Sequence, residues 1–173
     1  MKFEKITDLK NCEEVKQLYH ASFPPEEQVD FEKLFSGVFE GYNLYAVYNP
    51  DGVFVALIHF KKLENFVHIN YLAVKKEHQN KGYGSATLTF VKKLYDNKPL
   101  VLDIEEIDDS AANSFDRIRR VNFYKKNGFK EGIYKFLWQG VLMTYMNTES
   151  IDAEEFMKYI QIVFPTIKDV RFK

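Results

Sequence analysis

The clearest candidate ligand site in the chain is a short polar stretch with two glycines, Gln79-x-x-Gly82-x-Gly84, which follows an apolar run. Glycines let a backbone turn tightly and approach a ligand without a Cβ atom in the way. If a helix begins directly after them, its free N–H groups and its positive end lie at the turn, where a phosphate group can bind. The residues therefore predict an anion site, and phosphate is the chemistry that suits it.

Two familiar phosphate motifs do not fit this stretch. The P-loop requires a glycine followed by Lys and then Ser or Thr, whereas Gly84 is followed by Ser85 and Ala86. The dinucleotide fingerprint requires a small residue at its third glycine position, and Thr87 occupies that position here, after a longer loop. A Gln-x-x-Gly-x-Gly turn between a strand and a helix remains.

Composition limits the class of protein. The chain has 173 residues, of which 46% are hydrophobic and 16% aromatic, and this favours one packed domain over disorder. A net charge of −1 gives no overall attraction to nucleic acid or to anionic lipid, so we expect neither as a partner. The single cysteine, Cys12, cannot form an internal disulfide, and no apolar stretch predicts a membrane span or a signal region. We expect a soluble, cytoplasmic protein without a metal.

Apolar periodicity and turn residues predict the elements that position the glycine stretch. An apolar strand ends at Val74, a helix follows the turn and runs to about Tyr95, and a second apolar strand covers 100–106. Such a unit is normally a right-handed parallel crossover. The other predicted elements are strands at 2–6, 44–48, 53–61, 133–138 and 141–146, and helices at 8–20, 30–40, 118–127 and 156–163, the last with the capping pattern Asp152-x-x-Glu155.

A second motif, Phe123-Tyr124-Lys125-Lys126-Asn127-Gly128-Phe129, lies further along the chain. Together with Leu72-Ala73-Val74, the glycine turn and the order of elements, it resembles the GNAT superfamily of acetyl-CoA-dependent N-acetyltransferases over residues 2–147. The resemblance implies a mixed α/β (α+β) fold. It implies a mostly antiparallel central sheet of about seven strands flanked by helices, with one parallel crossover and splayed central strands. We expect one domain over 1–147, and a helical extension over 148–173 that packs on it or lies at a dimer interface.

The resemblance implies acetyl-CoA as a co-substrate. The backbone of the apolar strand would pair with the pantetheine arm, and the amides of the glycine turn would hold the pyrophosphate. Ligands of open sheets bind at the carboxyl ends of strands, at a switch point, which agrees with this location. The cofactor-binding residues that the resemblance implies are Leu72, Ala73, Val74, Gln79, Asn80, Lys81, Gly82, Tyr83, Gly84, Ser85, Phe123 and Lys126.

Acetyl transfer to an amine requires a neutral amine and stabilisation of an oxyanion, and it benefits from protonation of the CoA thiolate. A backbone N–H near 72–74 could serve the oxyanion. Tyr124 matches the family's tyrosine beside the CoA sulfur, whose hydroxyl protonates the thiolate; the alternative is a core aromatic. Phe123 lies about 100° from Tyr124 around a helix, so Phe123 is expected to pack elsewhere. Many family members have an asparagine two helical turns before the tyrosine, where this chain has Arg117.

The general base is open between two carboxylates and a histidine. Glu105 and Glu106 end the second central strand, and because successive strand residues face opposite ways, only one should face the cleft. His68 and Asn70 alternate on the Leu72 side of the first central strand. Some family members carry an alternating histidine pair there, and this chain has Asn70 at the second position. We expect Glu105 or Glu106, in preference to His68, to act as the general base.

The expected function is direct transfer of an acetyl group from acetyl-CoA to a primary amine of a small molecule in a ternary complex. Cys12, in the first helix, is not placed to form an acetyl-enzyme. The alternatives are a protein or peptide N-acetyltransferase and a non-catalytic acetyl-CoA sensor or interaction module, and a homodimer is left open. The acceptor-side residues, which could form an apolar wall, an acidic mouth and a polar contact, are Phe23, Phe31, Glu26, Glu27 and Asn70.

Overall fold

The computed structural model describes residues 1–10, 12–35, 41–138, 140–163 and 170–172, which form two compact units, Met1–Lys98 and Pro99–Lys173. Each unit combines antiparallel strands with helices, as the sequence predicts for a mixed α/β fold. Among the described residues, no helix has both the length and the hydropathy that crossing a membrane requires.

The first unit is an antiparallel meander with helices on its two faces. Its strands pair in chain order, β1 with β2, β2 with β3 and β3 with β4. The elements are β1 (Lys2–Lys5), α1 (Glu13–Ser22), β2 (Tyr42–Tyr48), β3 (Phe54–Lys62), β4 (Val67–Val74) and α2 (Tyr83–Leu94), with 3-10 helices at Pro25–Glu27, Phe31–Leu34 and Lys76–His78.

Both faces of this meander are covered. On one face, Tyr19 of α1 is fully buried in a cluster with Leu44, Leu57 and Ala73. On the other face, Phe90 of α2 stacks on Phe3 of β1, with ring centroids 3.9 Å apart. Strand β3 is buried on both sides for this reason, which explains its continuous apolar sequence.

Strand β4 contains a bulge at Asn70. Tyr71 lies opposite His59 and Ile69 lies opposite Phe60, so Asn70 is an extra residue without a partner on β3. Directly opposed residues share a face, and the extra residue reverses the alternation of the strand. His68 therefore lies on the α1 face with Tyr71, and the predicted alternation of His68 with Leu72 on one side is wrong. Regular alternation assumes a regular ladder, which a bulge interrupts.

The first two predicted helices differ most from the observed ones. The first begins at Glu13 rather than at residue 8, because the Asp8 carboxylate accepts the Lys10 N–H (2.8 Å) in a local turn. The second, predicted over 30–40, is a 3-10 helix at Phe31–Leu34, and 36–40 lie outside the described residues. Residues three apart eclipse one another in a 3-10 helix, so this short turn buries Phe31 and Leu34 together.

The second unit is also an antiparallel arrangement. Strand β7 pairs with β5 and with β6, and β8 pairs with β6. The described elements are β5 (Leu100–Glu105), α3 (Ser114–Lys126), β6 (Lys130–Trp138), β7 (Val141–Asn147), α4 (Ala153–Val163) and β8 (Val170–Phe172). The predicted hairpin of β6 and β7 is present, whereas β8 was not predicted from the sequence.

Helix α4 packs within this second unit. The Asp152 carboxylate accepts the N–H groups of Glu154 (2.9 Å) and Glu155 (3.0 Å), which is the capping role that the sequence pattern predicts. Phe156 is fully buried, and its ring centroid lies 4.4 Å from that of Tyr145 on β7. The apolar face of the helix therefore contributes to the core of its own unit.

Candidate active site

The glycine stretch forms the turn between β4 and α2 that the sequence predicts. Gly82 has a φ of 83° and is the N-cap of α2, with no hydrogen bond from a capping side chain. An added Cβ atom at Gly82 would meet nothing within 4 Å, so the glycine is needed for its left-handed backbone rather than for space. Asn80 is also left-handed, with a φ of 60°. The amides of the first turn of α2 are therefore left for an outside acceptor.

Gln79 closes the turn against the end of the strand. Its side-chain amide donates to the Val74 carbonyl (3.2 Å), and its backbone N–H donates to the Lys76 carbonyl (3.3 Å). The first residue of the motif thus shapes the loop, and the amides that can face a ligand begin after it.

Two lysines near this turn, Lys75 and Lys81, differ in their ion pairs. Lys75 forms an ion pair with Glu14 (Nζ to Oε1, 2.7 Å), which neutralises it locally. Lys81 is exposed directly before Gly82, and within the described parts of the chain it makes no ion pair. Lys81 is therefore the side chain of the turn that can add charge to an anion site.

In the second unit, the Glu105 carboxylate is held by helix α3. Arg117 Nη2 lies 2.9 Å from Glu105 Oε1, the Arg120 guanidinium bonds to Oε2, and Asn113 donates from its side-chain amide (3.2 Å). Arg117 also donates to the Glu106 carbonyl (2.9 Å), which ties α3 to the end of β5. Partial burial opposes ionisation of Glu105, but the Asn113 amide and the two guanidinium groups outweigh it and hold the pKa of the carboxyl below its usual value.

Glu106 has different partners. Its carboxylate accepts from Lys135 Nζ (2.5 Å) and from the Thr144 hydroxyl, and its side chain is 27% exposed, against 13% for Glu105. A cavity of about 50 Å³ lies beside both glutamates and is lined by Ile104, Glu105, Glu106, Ile107, Val121, Glu131 and Thr144. Its size is sufficient for a water molecule. Glu106 is thus the more accessible of the two carboxylates.

The second motif builds the end of α3 around Tyr124. Gly128 has a φ of 85°, and the Phe129 N–H reaches back to the Tyr124 carbonyl (3.0 Å), as in a Schellman ending. This reversal brings the Phe129 ring within 5.3 Å of the Tyr124 ring. Burial raises the pKa of Tyr124 to about 12, against the opposing effect of Arg120. The phenol is therefore protonated throughout the neutral pH range.

The neighbours of Tyr124 in the motif have other surroundings. Phe123 is half-buried and contacts the Tyr124 ring edge-to-face at 5.1 Å. Lys126 is exposed, and no ion pair to it is formed among the residues that the structure describes.

The remaining candidate base, His68, is buried in the first unit. It is 3% exposed, as is His59, and both lie on the α1 face of the meander. A base must reach the proton that it abstracts, and burial on this face leaves His68 little access.

The acceptor-side residues of the first unit lie in and near the segment after α1. Phe31 is buried against Tyr19, with ring centroids 5.8 Å apart, whereas Phe23 is half-buried. Glu26 is exposed and Glu27 is half-buried. Among the described residues, the buried Oδ1 of Asn70 has no hydrogen-bond partner.

Several side chains that shape these sites are not among the predicted site residues. Arg120, Lys135 and Thr144 hold the glutamates, and Tyr71 contacts the segment after α1. The i, i+3 spacing of Arg117 and Arg120 indicates a shared helix face, but only the fold places a carboxylate beside it.

Comparison with known proteins agrees with this geometry. The model of the acetyltransferase (GNAT) domain matches residues 40–131, more than half of the chain. "Putative acetyltransferase YjbC" of Bacillus subtilis strain 168 is 25% identical over 128 residues, which are 74% of this chain and 56% of that protein. The chain thus spans little more than half the length of this curated relative.

Solved structures have the same fold. One is described as a putative GNAT-family acetyltransferase from Bacteroides thetaiotaomicron, with 25% identity, a TM-score of 0.73 and coverage of 96% of this chain and 97% of that one. Another, described as a putative streptothricin acetyltransferase from Bacillus anthracis in complex with acetyl coenzyme A, has 17% identity and a TM-score of 0.53, covering 73% and 71%.

The fold and the two motifs define an α/β domain of the acyltransferase type. The chain belongs to the GNAT family of acetyltransferases. The predicted family and the predicted fold class are confirmed.

Proposed function

We propose that this protein is an N-acetyltransferase that moves an acetyl group from acetyl-CoA to a primary amine of a small molecule, directly within a ternary complex. The observation that carries the proposal is the turn between β4 and α2, where Gly82 starts a helix without a side-chain cap. Amides at a helix start, with the exposed Lys81 beside them, suit a pyrophosphate. Family membership and the acetyl-CoA complex of a protein with the same fold support this donor.

The donor would lie along the end of β4. Leu72, Ala73 and Val74 are extended and lead directly to the turn. A pantetheine arm can follow such a strand while the pyrophosphate meets the amides after Gln79. These residues would bind and orient the thioester rather than react with it.

The chemistry would need one proton acceptor and one proton donor. The neutral amine nitrogen attacks the thioester carbonyl carbon, the carbon–sulfur bond breaks, and the amide product and CoA form. Tyr124 would give its hydroxyl proton to the departing sulfur, because its raised pKa keeps it protonated at neutral pH. Positioned acid–base groups of this kind contribute about 10²–10⁴-fold to a rate.

We propose Glu106 as the base that accepts the proton from the amine. Glu105 is bonded to two guanidinium groups and an amide, and its lowered pKa makes it a weaker base. Glu106 has one ion pair and one hydroxyl partner, and its side chain is more exposed than that of Glu105. His68 is the alternative, and its burial disfavours it.

The segment after α1 has an exposed carboxylate at Glu26 and a half-buried aromatic ring at Phe23, and these groups suit a cationic amine with an apolar portion. The streptothricin acetyltransferase description of a protein with the same fold supports a small-molecule acceptor. Protein or peptide amines are the alternative, and nothing in the described residues favours them.

The test is CoA release from acetyl-CoA across a panel of polyamines, aminoglycosides, streptothricin-type antibiotics and peptides. We expect turnover with at least one small amine, and a fall of about 10²-fold or more in kcat for Tyr124→Phe. Tyr45→Phe, which removes a half-buried hydroxyl from β2, is the matched control and should keep its activity. Tight binding of acetyl-CoA without transfer to any amine would favour the sensor instead.

We also propose that 148–173 packs on its own unit rather than at a dimer interface, since Phe156 of α4 contacts Tyr145. A chain that ends at Thr148 should then be less stable but unchanged in its oligomeric state, as measured by size-exclusion chromatography. The cytoplasmic location and the homodimer stay predictions.

A further inference from the structure

The segment after α1 is held in place by a set of hydrogen bonds from buried or half-buried side chains. Gln28 donates from Nε2 to the Phe23 carbonyl (2.6 Å) and to the His20 carbonyl (3.3 Å), and its Oε1 lies 2.5 Å from His20 Nδ1. These bonds close residues 23–28 into a compact loop around the 3-10 turn at Pro25–Glu27. We call residues 23–29 the acceptor-side loop.

Two tyrosines attach this loop to the rest of the first unit. The Tyr19 hydroxyl accepts the Val29 N–H (2.9 Å) and donates to the Val29 carbonyl (3.2 Å). The Tyr71 hydroxyl donates to the Glu27 carbonyl (2.6 Å). Tyr19 belongs to α1, but Tyr71 belongs to β4, so Tyr71 is the link between this strand and the loop.

The Tyr71 ring is itself firmly held. It contacts Phe23 at 4.7 Å and Tyr19 at 5.1 Å, both edge-to-face, and it lies 5.7 Å from the His59 ring. Burial raises the pKa of the Tyr71 hydroxyl and the neighbouring Tyr19 hydroxyl raises it further, so the hydroxyl stays a proton donor to the loop. A hydroxyl in this setting fixes the position of Glu27 and of the half-buried Phe23.

The position of Tyr71 in the strand gives the contact its significance. Tyr71 lies between the bulge residue Asn70 and Leu72, the first residue of the strand end that would carry the donor. Tyr71 lies opposite His59 and therefore shares the α1 face, where the loop lies. Movement of the donor strand and movement of the loop are therefore connected through the Tyr71 side chain, by its hydrogen bond to Glu27 and its ring contact with Phe23.

We propose that Tyr71 is a positioning residue that holds the acceptor-side loop at a fixed place relative to the donor strand and so sets the affinity for the amine. This inference rests on the proposed function, since it takes the loop as a wall of the amine site. The Tyr71 hydroxyl contacts no reacting atom in this scheme; it acts through Glu27 and Phe23.

The test compares Tyr71→Phe with the matched control Tyr45→Phe, in the full chain. Amide hydrogen exchange over 23–29 should become faster in Tyr71→Phe, with 42–62 unchanged, because only the loop loses a partner. The amine KM should rise about fivefold, the usual effect of one lost hydrogen bond, while kcat and the acetyl-CoA KM stay within twofold. Tyr45→Phe should change neither the exchange of the loop nor the amine KM.

A second variant separates positioning from general destabilisation. Tyr19→Phe frees Val29 in the same loop, so its effect on amine KM should be less than additive with that of Tyr71→Phe. Unchanged loop exchange in Tyr71→Phe, or an unchanged amine KM in a wild-type enzyme that turns over, would overturn the inference. Failure of the proposed function is a different result, namely a wild-type protein that acetylates no amine.

Discussion

The burial of His59 predicts a specific loss of stability in mild acid. The side chain is 3% exposed, its ring stacks on that of Tyr42 with centroids 5.2 Å apart, and the centroid of the Tyr71 ring lies 5.7 Å away. Neither ring nitrogen makes a hydrogen bond to a side chain within the described residues. Burial lowers the pKa of His59 to about 3, with the Leu34 backbone acting in the opposite direction and His68 in the same one.

The sign and size follow from proton linkage. A histidine in the unfolded chain has a pKa of about 6.5, so below that pH the unfolded state binds a proton that folded His59 refuses. The contribution of neutral, buried His59 to the free energy of unfolding is fully present above pH 6.5 and is lost progressively as the pH falls towards 3. Each pKa unit corresponds to about 1.4 kcal/mol, so His59 alone should cost about 2 kcal/mol at pH 5. That is a large part of a typical free energy of unfolding of about 5–15 kcal/mol.

The assay is urea unfolding at pH 7 and pH 5, with His59→Phe as the non-titrating variant and His78→Phe as the control. Between pH 7 and pH 5, the free energy of unfolding should fall less in His59→Phe than in the wild type, by about 2 kcal/mol. His78 is a half-buried histidine beside the Tyr83 ring. The variant His78→Phe should show the same fall in the free energy of unfolding as the wild type. Because most carboxyls titrate below pH 5, they contribute little in this window. An equal pH dependence in the wild type and His59→Phe would refute the reasoning.

Four further outcomes are expected. Gly82→Ala should weaken acetyl-CoA binding about tenfold in calorimetry, because alanine resists a φ of 83°, whereas Gly52→Ala at a φ of 80° should lower stability alone. Glu105→Gln should lower the free energy of unfolding by about 2 kcal/mol in a urea titration, since it weakens hydrogen bonds to two guanidinium groups. Glu106→Gln should lower kcat by about 10²-fold or more in the CoA-release assay. Asp152→Ala should cost about 1 kcal/mol of stability in the same urea titration through loss of the α4 cap, and an unchanged midpoint would contradict that cap's importance.

Much of the architecture could be predicted from local patterns. The turn at Gly82 and the end of α3 at Gly128 depend on a left-handed backbone that glycine adopts readily, so each is visible in the sequence. Apolar runs likewise placed β4 and β5, because strands covered on both faces leave few polar positions.

The parts that could not be predicted depend on contacts between residues distant in the chain. His68 lies on a different face of the sheet from the predicted one because Asn70 is an extra residue in the ladder. A bulge of this kind leaves no clear mark on apolar periodicity. Glu105 and Glu106 look equivalent in the sequence, and they differ because Arg120 and Lys135 arrive from other elements. Site roles depend on such partners, so the choice of base needed the fold.

The extra residue in β4 has a consequence for any change in the length of this strand. Val67, His68 and Ile69 are all nearly inaccessible to solvent, so each has a layer of side chains on whichever side it faces. Deleting residue 70 would restore a regular ladder without changing the pairs beyond it, because Ile69 would still lie opposite Phe60 and His68 opposite Lys61. The three side chains would therefore keep their faces. A single-codon deletion here should straighten the strand and leave both layers of the core in place, whereas a deletion within a regular strand turns the residues beyond it to the opposite face.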